Sequence, residues 1–120
     1  MKVSRLTAAM GVALVIGVFA GQALGMDFVE AAPKQTKVLV DNDKVRVIHV
    51  TIGKGDKIPM HTHPDIVVYT IKGGKVKFTN ADGKVIEANA PAGDVAFRPA
   101  VTHSHEHPDG GEAIVIELKK

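Results

Sequence analysis

The sequence contains no cysteine and no tryptophan. Without cysteine it can form no disulfide, no thiolate nucleophile and no cysteine-ligated zinc or iron–sulfur site. Aromatic residues make up only 4% of the chain, too few for a surface on which nucleic-acid bases stack. Charges nearly balance, with 15 Lys and Arg against 13 Asp and Glu, whereas nucleic-acid-binding proteins normally carry a basic stripe. The composition therefore predicts no nucleic-acid partner, and the six histidines become its main chemical feature.

The N-terminal residues have the pattern of a signal peptide. Lys2 and Arg5 form a short positive start, and residues 6–26 carry no charge. Residues 12–20 are strongly apolar, and small residues follow at the spacing that signal peptidase accepts. The pattern predicts that residues 1–25 are a signal peptide and that the protein is periplasmic or secreted.

The alternative is an uncleaved membrane anchor, because 21 uncharged residues approach the roughly 20 that a spanning helix needs. Four glycines and Gln22 interrupt this stretch and favour cleavage, after which no membrane contact is expected. Residues 26–35 are predicted to be a flexible N-terminal arm. Residues 36–120 are predicted to form the single folded domain.

From residue 33 the chain has the pattern of short strands bounded by turns. Residues 45–52 are rich in β-branched side chains, residues 66–71 form an apolar run, and residues 112–118 form the last strand. No window sustains a helical period over ten residues. Seven or more short strands in about 85 residues predict an all-β sandwich or barrel. Such a small domain has a thin core, which is compatible with a homodimer.

Two short segments hold five of the six histidines. His61 and His63 form the first pair, and His103, His105 and His107 alternate in the second segment. Alternate residues of a strand point to the same face, so the imidazoles of each segment are expected to project together. Imidazoles that converge from two strands suit a divalent transition metal such as Fe, Mn, Ni, Cu or Zn.

The spacing around these histidines resembles the two motifs of the cupin superfamily over roughly residues 38–118. The first motif is a glycine, five residues, H-x-H, a glutamate and a closing glycine; the second is a glycine, five residues, a proline and a later histidine. The matching residues are Gly55, His61, His63 and Gly73 for the first motif, and Gly93, Pro99 and His103 for the second. The resemblance implies a small double-stranded β-helix (jelly-roll) barrel with a metal ion held by His61, His63 and His103.

The motif glutamate is absent. Its place falls on Ile66 or Val67, and the nearest carboxylate is Asp65. The metal would then be held by three histidines with water or Asp65, by recruiting His105 or His107, by His61 and His63 with Asp65 as the carboxylate, or not at all.

Three histidines around an open site would form a catalytic geometry, with coordination positions free for water, substrate or dioxygen. The leading hypothesis is a metal-dependent, oxygenase-like enzyme acting on a small organic molecule. In it Asp65 or His107 would be catalytic, tuning the metal or moving a proton. The alternatives are a non-catalytic protein that binds a small ligand or the metal itself, and a histidine-lined pocket without metal.

Overall fold

The computed structural model describes residues 25–120. Within this range the chain forms one short helix and nine strands. The helix is α1 (Phe28–Ala31), and the strands are β1 (Thr36–Asp41), β2 (Val45–Ile52), β3 (Asp56–His63), β4 (Ile66–Lys72), β5 (Gly74–Asn80), β6 (Val85–Ala90), β7 (Val95–Arg98), β8 (Val101–His107) and β9 (Gly111–Leu118).

The strands form two antiparallel sheets. The five-stranded sheet has the order β1-β2-β9-β4-β7, and the four-stranded sheet has the order β3-β8-β5-β6. Consecutive strands often belong to opposite sheets, and this crossing produces the double-stranded β-helix. The predicted all-β jelly-roll barrel is confirmed.

Both sheets and the helix contribute to one apolar core. The core residues occupy alternate positions along their strands. In β2, for example, every second residue from Ile48 to Ile52 is buried. The buried core residues are Phe28, Ala32, Ile48, Val50, Ile52, Ile58, Ile66 and Val115. Strand β8 alternates in the same way but buries three histidines, so polar rings extend the apolar core on the side of the four-stranded sheet.

A bulge interrupts the pairing of β3 with β8. Ile58 is paired with His105 and His61 with His103, so β3 has one more residue than β8 between the two pairs. Ile58 and His61 are three residues apart and would face opposite sides of a regular strand. The extra residue turns both inward, and both are fully buried. Pro59 lies inside the bulge, where its missing N–H breaks no ladder hydrogen bond.

The segment expected to be a loose arm packs against the barrel instead. Asp27 caps α1 by accepting a hydrogen bond from the backbone N–H of Val29 at 3.0 Å. The Thr62 N–H donates to the carbonyl of Met26 at 2.8 Å, which ties the segment to β3. Phe28 is only 2% exposed. The segment is ordered because it buries apolar side chains in the core: Phe28 and Ala32 are buried, and Val29 packs against them.

Replacing Phe28 by alanine is expected to lower the free energy of unfolding by about 3–5 kcal/mol, the usual cost of truncating a buried phenylalanine. Urea denaturation of the metal-free protein measures the change. Met26→Ala is the control, because the Met26 side chain is largely exposed and its tie to β3 uses the backbone. A loss below 1 kcal/mol for Phe28→Ala would contradict the packing described here.

No helix within residues 25–120 is long and apolar enough to cross a membrane. The predicted signal peptide lies outside the described residues except for its last position, so cleavage and export stay predictions.

Candidate metal centre

Four buried imidazoles meet inside the barrel. His61 and His63 come from β3, and His103 and His105 come from β8. His61 and His103 are direct cross-strand partners, and their ring centroids lie 5.0 Å apart. The centroid of His61 also lies 4.7 Å from that of His63 and 5.1 Å from that of His105. The alternation of each strand and the bulge in β3 therefore bring four rings to one point.

The tightest group among these rings differs from the set that the motif implies. His61, His103 and His105 each offer a ring nitrogen, and the three atoms lie within 4.8 Å of one another. His63 stands beside this group, with its Nε2 atom 3.0 Å from Nε2 of His61. The structure thus brings the expected His61, His63 and His103 together and adds His105 to them.

The local backbone determines which nitrogen of His61 is free. Nδ1 of His61 lies 2.7 Å from the carbonyl oxygen of Pro59, and a carbonyl only accepts, so Nδ1 must carry the proton. In a neutral ring Nε2 is then a bare lone pair. Two nitrogen ligands at about 2.0–2.1 Å from one ion, at 90–109° to each other, lie roughly 2.8–3.4 Å apart. The 3.0 Å spacing between the Nε2 atoms of His61 and His63 fits adjacent positions around a metal.

Burial keeps the rings of His61, His103 and His105 neutral. It lowers the pKa of His61 to about 4 and the pKa of His103 to about 3, and it lowers the pKa of His105 well below its ordinary value. Neighbouring imidazoles lower all three further. A metal binds the unprotonated nitrogen, so the rings are in their binding form at neutral pH.

His107, predicted as a catalytic residue, lies next to the group of three. Its Nε2 is 2.6 Å from Nδ1 of His105, and burial lowers its pKa. If His105 donates from Nδ1 to His107, Nε2 of His105 keeps a free lone pair for a metal. The contact makes His107 a partner that orients His105.

Asp65, the other predicted catalytic residue, has a different contact. Its carboxylate accepts a hydrogen bond from the backbone N–H of Ala100 at 2.9 Å. Strand β3 ends at His63, so the alternation that would have aligned Asp65 with the histidines stops before it. The structure does not bring Asp65 into the group of three.

A carboxylate does reach the site, from a residue that the motifs did not indicate. Glu117 on β9 is 4% exposed, and its Oε2 lies 3.5 Å from Nδ1 of His63. Its other oxygen accepts from Nε of Arg46 at 2.8 Å, and Arg46 also pairs with Asp27 at 2.6 Å. Glu117 lies two residues after Val115 in β9, so both side chains face the interior. This alternation is the sequence signal that could have identified Glu117.

These charges hold one another in their ionised forms. Burial alone would raise the pKa of Glu117, but the nearby His63 ring, the hydrogen bond from Arg46 and the Arg46 charge together lower it. The paired carboxylates raise the pKa of Arg46 despite its own partial burial. Glu117 is therefore a carboxylate at neutral pH, with one oxygen held by Arg46 and the other directed at His63.

A cavity of about 180 Å³ opens beside the imidazoles. Most of its wall is aliphatic, and four of the five clustered histidines line it: His63, His103, His105 and His107. Arg98 also lines it and places its guanidinium carbon 5.8 Å from the centre of the Phe78 ring, which in turn stacks on His103 at 5.1 Å. A small molecule in this cavity would meet mostly apolar walls, the ring nitrogens, the Arg98 guanidinium and further charged side chains of both signs, among them Lys72 and Asp94.

The sixth histidine lies outside the cluster. His49 on β2 makes a 2.6 Å contact from Nε2 to Glu112 on β9, and about a third of its side chain is exposed. His49 is thus a strand residue with its own hydrogen-bond partner.

Comparison with solved structures identifies the fold. A cupin domain from Bordetella pertussis Tohama I is 25% identical, covers 71% of this chain and 92% of its own, and has a TM-score of 0.66. An RmlC-like cupin with a double-stranded β-helix fold from Methanocaldococcus jannaschii is 19% identical, covers 70% and 78%, and has a TM-score of 0.56. No protein-family model and no curated protein matches the chain. The chain has the cupin fold, and the 25% identical Bordetella structure supports the cupin superfamily.

Proposed function

We propose that this protein is a cupin that binds one divalent transition metal through His61, His103 and His105, with His63 beside them, and acts on a small organic molecule. The observation that carries the proposal is the convergence of neutral, buried imidazoles from β3 and β8. Burying several imidazoles with lone pairs facing one another is costly, and a bound cation would offset that cost.

The donor set narrows the choice of metal. All of the converging side chains are imidazoles, which suit Zn, Cu, Fe and Ni better than Mn, an ion that prefers carboxylate oxygens. An ion of this kind would supply a Lewis acid or a dioxygen-binding centre when bound. The protein's own part is to orient the rings, through the Pro59 carbonyl for His61 and through His107 for His105.

The cavity indicates the kind of molecule that reaches the site. At about 180 Å³ it suits a small compound, and its aliphatic walls would exclude water from an apolar part of that compound. Arg98 at its edge can orient an anionic group with two parallel hydrogen bonds. We therefore place the substrate of an oxygenase-like reaction between Arg98 and the histidines.

Elemental analysis of tag-free protein tests the proposal. We expect one Zn, Cu, Fe or Ni ion per chain, removed by a strong chelator and restored by adding the metal back. Oxygen uptake with thiols, phenols and β-dicarbonyl acids then tests for catalysis. Metal content well below one per chain that re-addition does not raise would refute the metal site.

A non-catalytic metal- or ligand-binding protein is the second candidate. It is favoured for a tetrahedral ion, because His63 would complete a set of four nitrogens and leave no position for substrate, whereas a six-coordinate Fe or Ni ion would keep two positions open. Stoichiometric metal with no oxygen uptake across the panel would support this candidate over the enzyme.

Export to the periplasm or the cell exterior is also proposed, on the signal-peptide pattern of residues 1–25 alone. Mass spectrometry of the native protein tests it by the position of the mature N-terminus, which we expect at residue 26 for cleavage after Gly25 or at residue 24 for cleavage after Ala23.

A further inference from the structure

We propose that Glu117 is the carboxylate of this metal centre and that it acts through His63 as a positioning residue. It would accept a hydrogen bond from Nδ1–H of His63 and so leave Nε2 of that ring free to bind the ion beside His61. The inference rests on the proposed metal site and adds to it a fourth nitrogen ligand and the residue that orients it.

The first support is the position of Glu117 in the sheet. It is the cross-strand partner of Ile66, one of the two positions, with Val67, at which the first motif would place its glutamate. Glu117 and Ile66 are both buried. Compared with the motif, the carboxylate therefore lies on the neighbouring strand, on β9 instead of β4. From there it contacts His63.

The second support is that two buried atoms face each other without another partner. Nδ1 of His63 and Oε2 of Glu117 lie 3.5 Å apart, and neither has a hydrogen-bond partner within the described part of the chain. Buried polar atoms are normally satisfied. A small rotation of the His63 ring would close this gap to a charge-assisted hydrogen bond.

The third support is that the two ring nitrogens of His63 compete for a single proton. Nε2 of His61 carries a free lone pair, because Nδ1 of the same ring donates to the Pro59 carbonyl. Nε2 of His63 lies 3.0 Å from Nε2 of His61. A neutral His63 has one proton, which can satisfy either Glu117 or His61 but not both. A metal at the two Nε2 atoms removes the competition, because the proton then stays on Nδ1 and points at Glu117.

Arg46 and Asp27 keep Glu117 in place. Nε of Arg46 donates to Oε1 of Glu117 at 2.8 Å, and its NH2 group donates to Asp27 at 2.6 Å. One carboxylate oxygen is thus occupied, and only Oε2 is left for His63.

Glu117→Gln tests the proposal with almost no change in shape. The glutamine has one accepting oxygen, which Arg46 would take, so its NH2 group would face His63 and donate to Nδ1. That forces the proton of His63 onto Nε2 and blocks metal binding there. We expect zinc affinity, measured by competition with a chelator, to fall by about 10–100-fold, as it does when the partner of a ligating histidine is lost.

Glu112→Gln is the matched control, because it makes the same change on the same strand at a carboxylate that contacts His49. Its zinc affinity should equal that of the unaltered protein. Long-range ¹H–¹⁵N spectra of the zinc-loaded protein should show the His63 proton on Nδ1, a readout that general destabilisation would not move and that needs no variant.

Each outcome separates this inference from the proposed function. Equal zinc affinity for Glu117→Gln and Glu112→Gln, or a zinc-loaded His63 with its proton on Nε2, would overturn the role of Glu117 while leaving the metal site intact. A lack of zinc binding by the unaltered protein would instead overturn the proposed function and this inference together.

Discussion

Replacing both His61 and His103 by glutamine is expected to weaken zinc binding by roughly four orders of magnitude. Structural zinc sites with four ligands bind with about 10–16 kcal/mol, so each ligand accounts for roughly 3 kcal/mol, or about 100-fold in affinity. The two residues are the cross-strand pair at the centre of the cluster. Removing them leaves only His105 on β8 and His63 on β3. Neither of these two then has the neighbouring ring nitrogen with which it would share the ion.

Competition with a chromogenic chelator measures the affinity, and circular dichroism establishes that each variant is folded. His49→Gln is the control, since its ring pairs with Glu112 away from the cluster and its loss should leave zinc affinity unchanged. If a folded double variant binds zinc as tightly as the unaltered protein, the site lies elsewhere in the chain.

The metal-free protein is expected to lose roughly 3 kcal/mol of stability between pH 6.5 and pH 5 from His61 and His103 alone. Both rings have ordinary pKa values of 6.5 that burial lowers, to about 4 and about 3. Below pH 6.5 the unfolded chain binds protons at these rings while the folded chain does not. The free energy of unfolding must therefore fall as the pH falls.

Glu117 acts in the same direction at lower pH. Its pKa is lowered from an ordinary value of 4.5, so the stability it contributes is complete above pH 4.5 and is lost as the pH falls below that. Together these groups predict a loss of stability that begins near pH 6.5 and continues below pH 4.5, where Glu117 adds to the loss while the contribution of His61 levels off.

Urea denaturation at pH 7.5, 6.5, 5.5 and 5.0 in the presence of a chelator measures this dependence. The variant His103→Gln removes one of the two rings and should reduce the loss between pH 6.5 and 5 by about half. A free energy of unfolding that stays constant over this range would show that the rings are not held in a desolvated site.

The strand pattern could be predicted because its signals are local. Strand β2 spans the residues that its β-branched run indicated, and the alternation of β8 does bury His103, His105 and His107 together. The fold followed from such runs, from turns and from the spacing of two motifs, all of which lie within short stretches of sequence.

The orientation of the site could not be predicted because it depends on contacts between distant strands. Glu117 reaches His63 only because β9 inserts between β2 and β4, an order that no single segment specifies. The bulge at Pro59 likewise depends on how β3 pairs with β8. Burial of Phe28 depends on a cluster that forms only when the barrel closes.

Only one of the five clustered histidines stays outside the cavity wall, and this has a stereochemical consequence. His61 packs on the Phe28 ring, with their centroids 4.7 Å apart, and the other four histidines line the cavity. A ligand that enters through the cavity would therefore approach the cluster from the side away from His61. If the proposed reaction takes place there, a prochiral molecule oriented by Arg98 would expose the same face each time, so we expect a single enantiomer as the product.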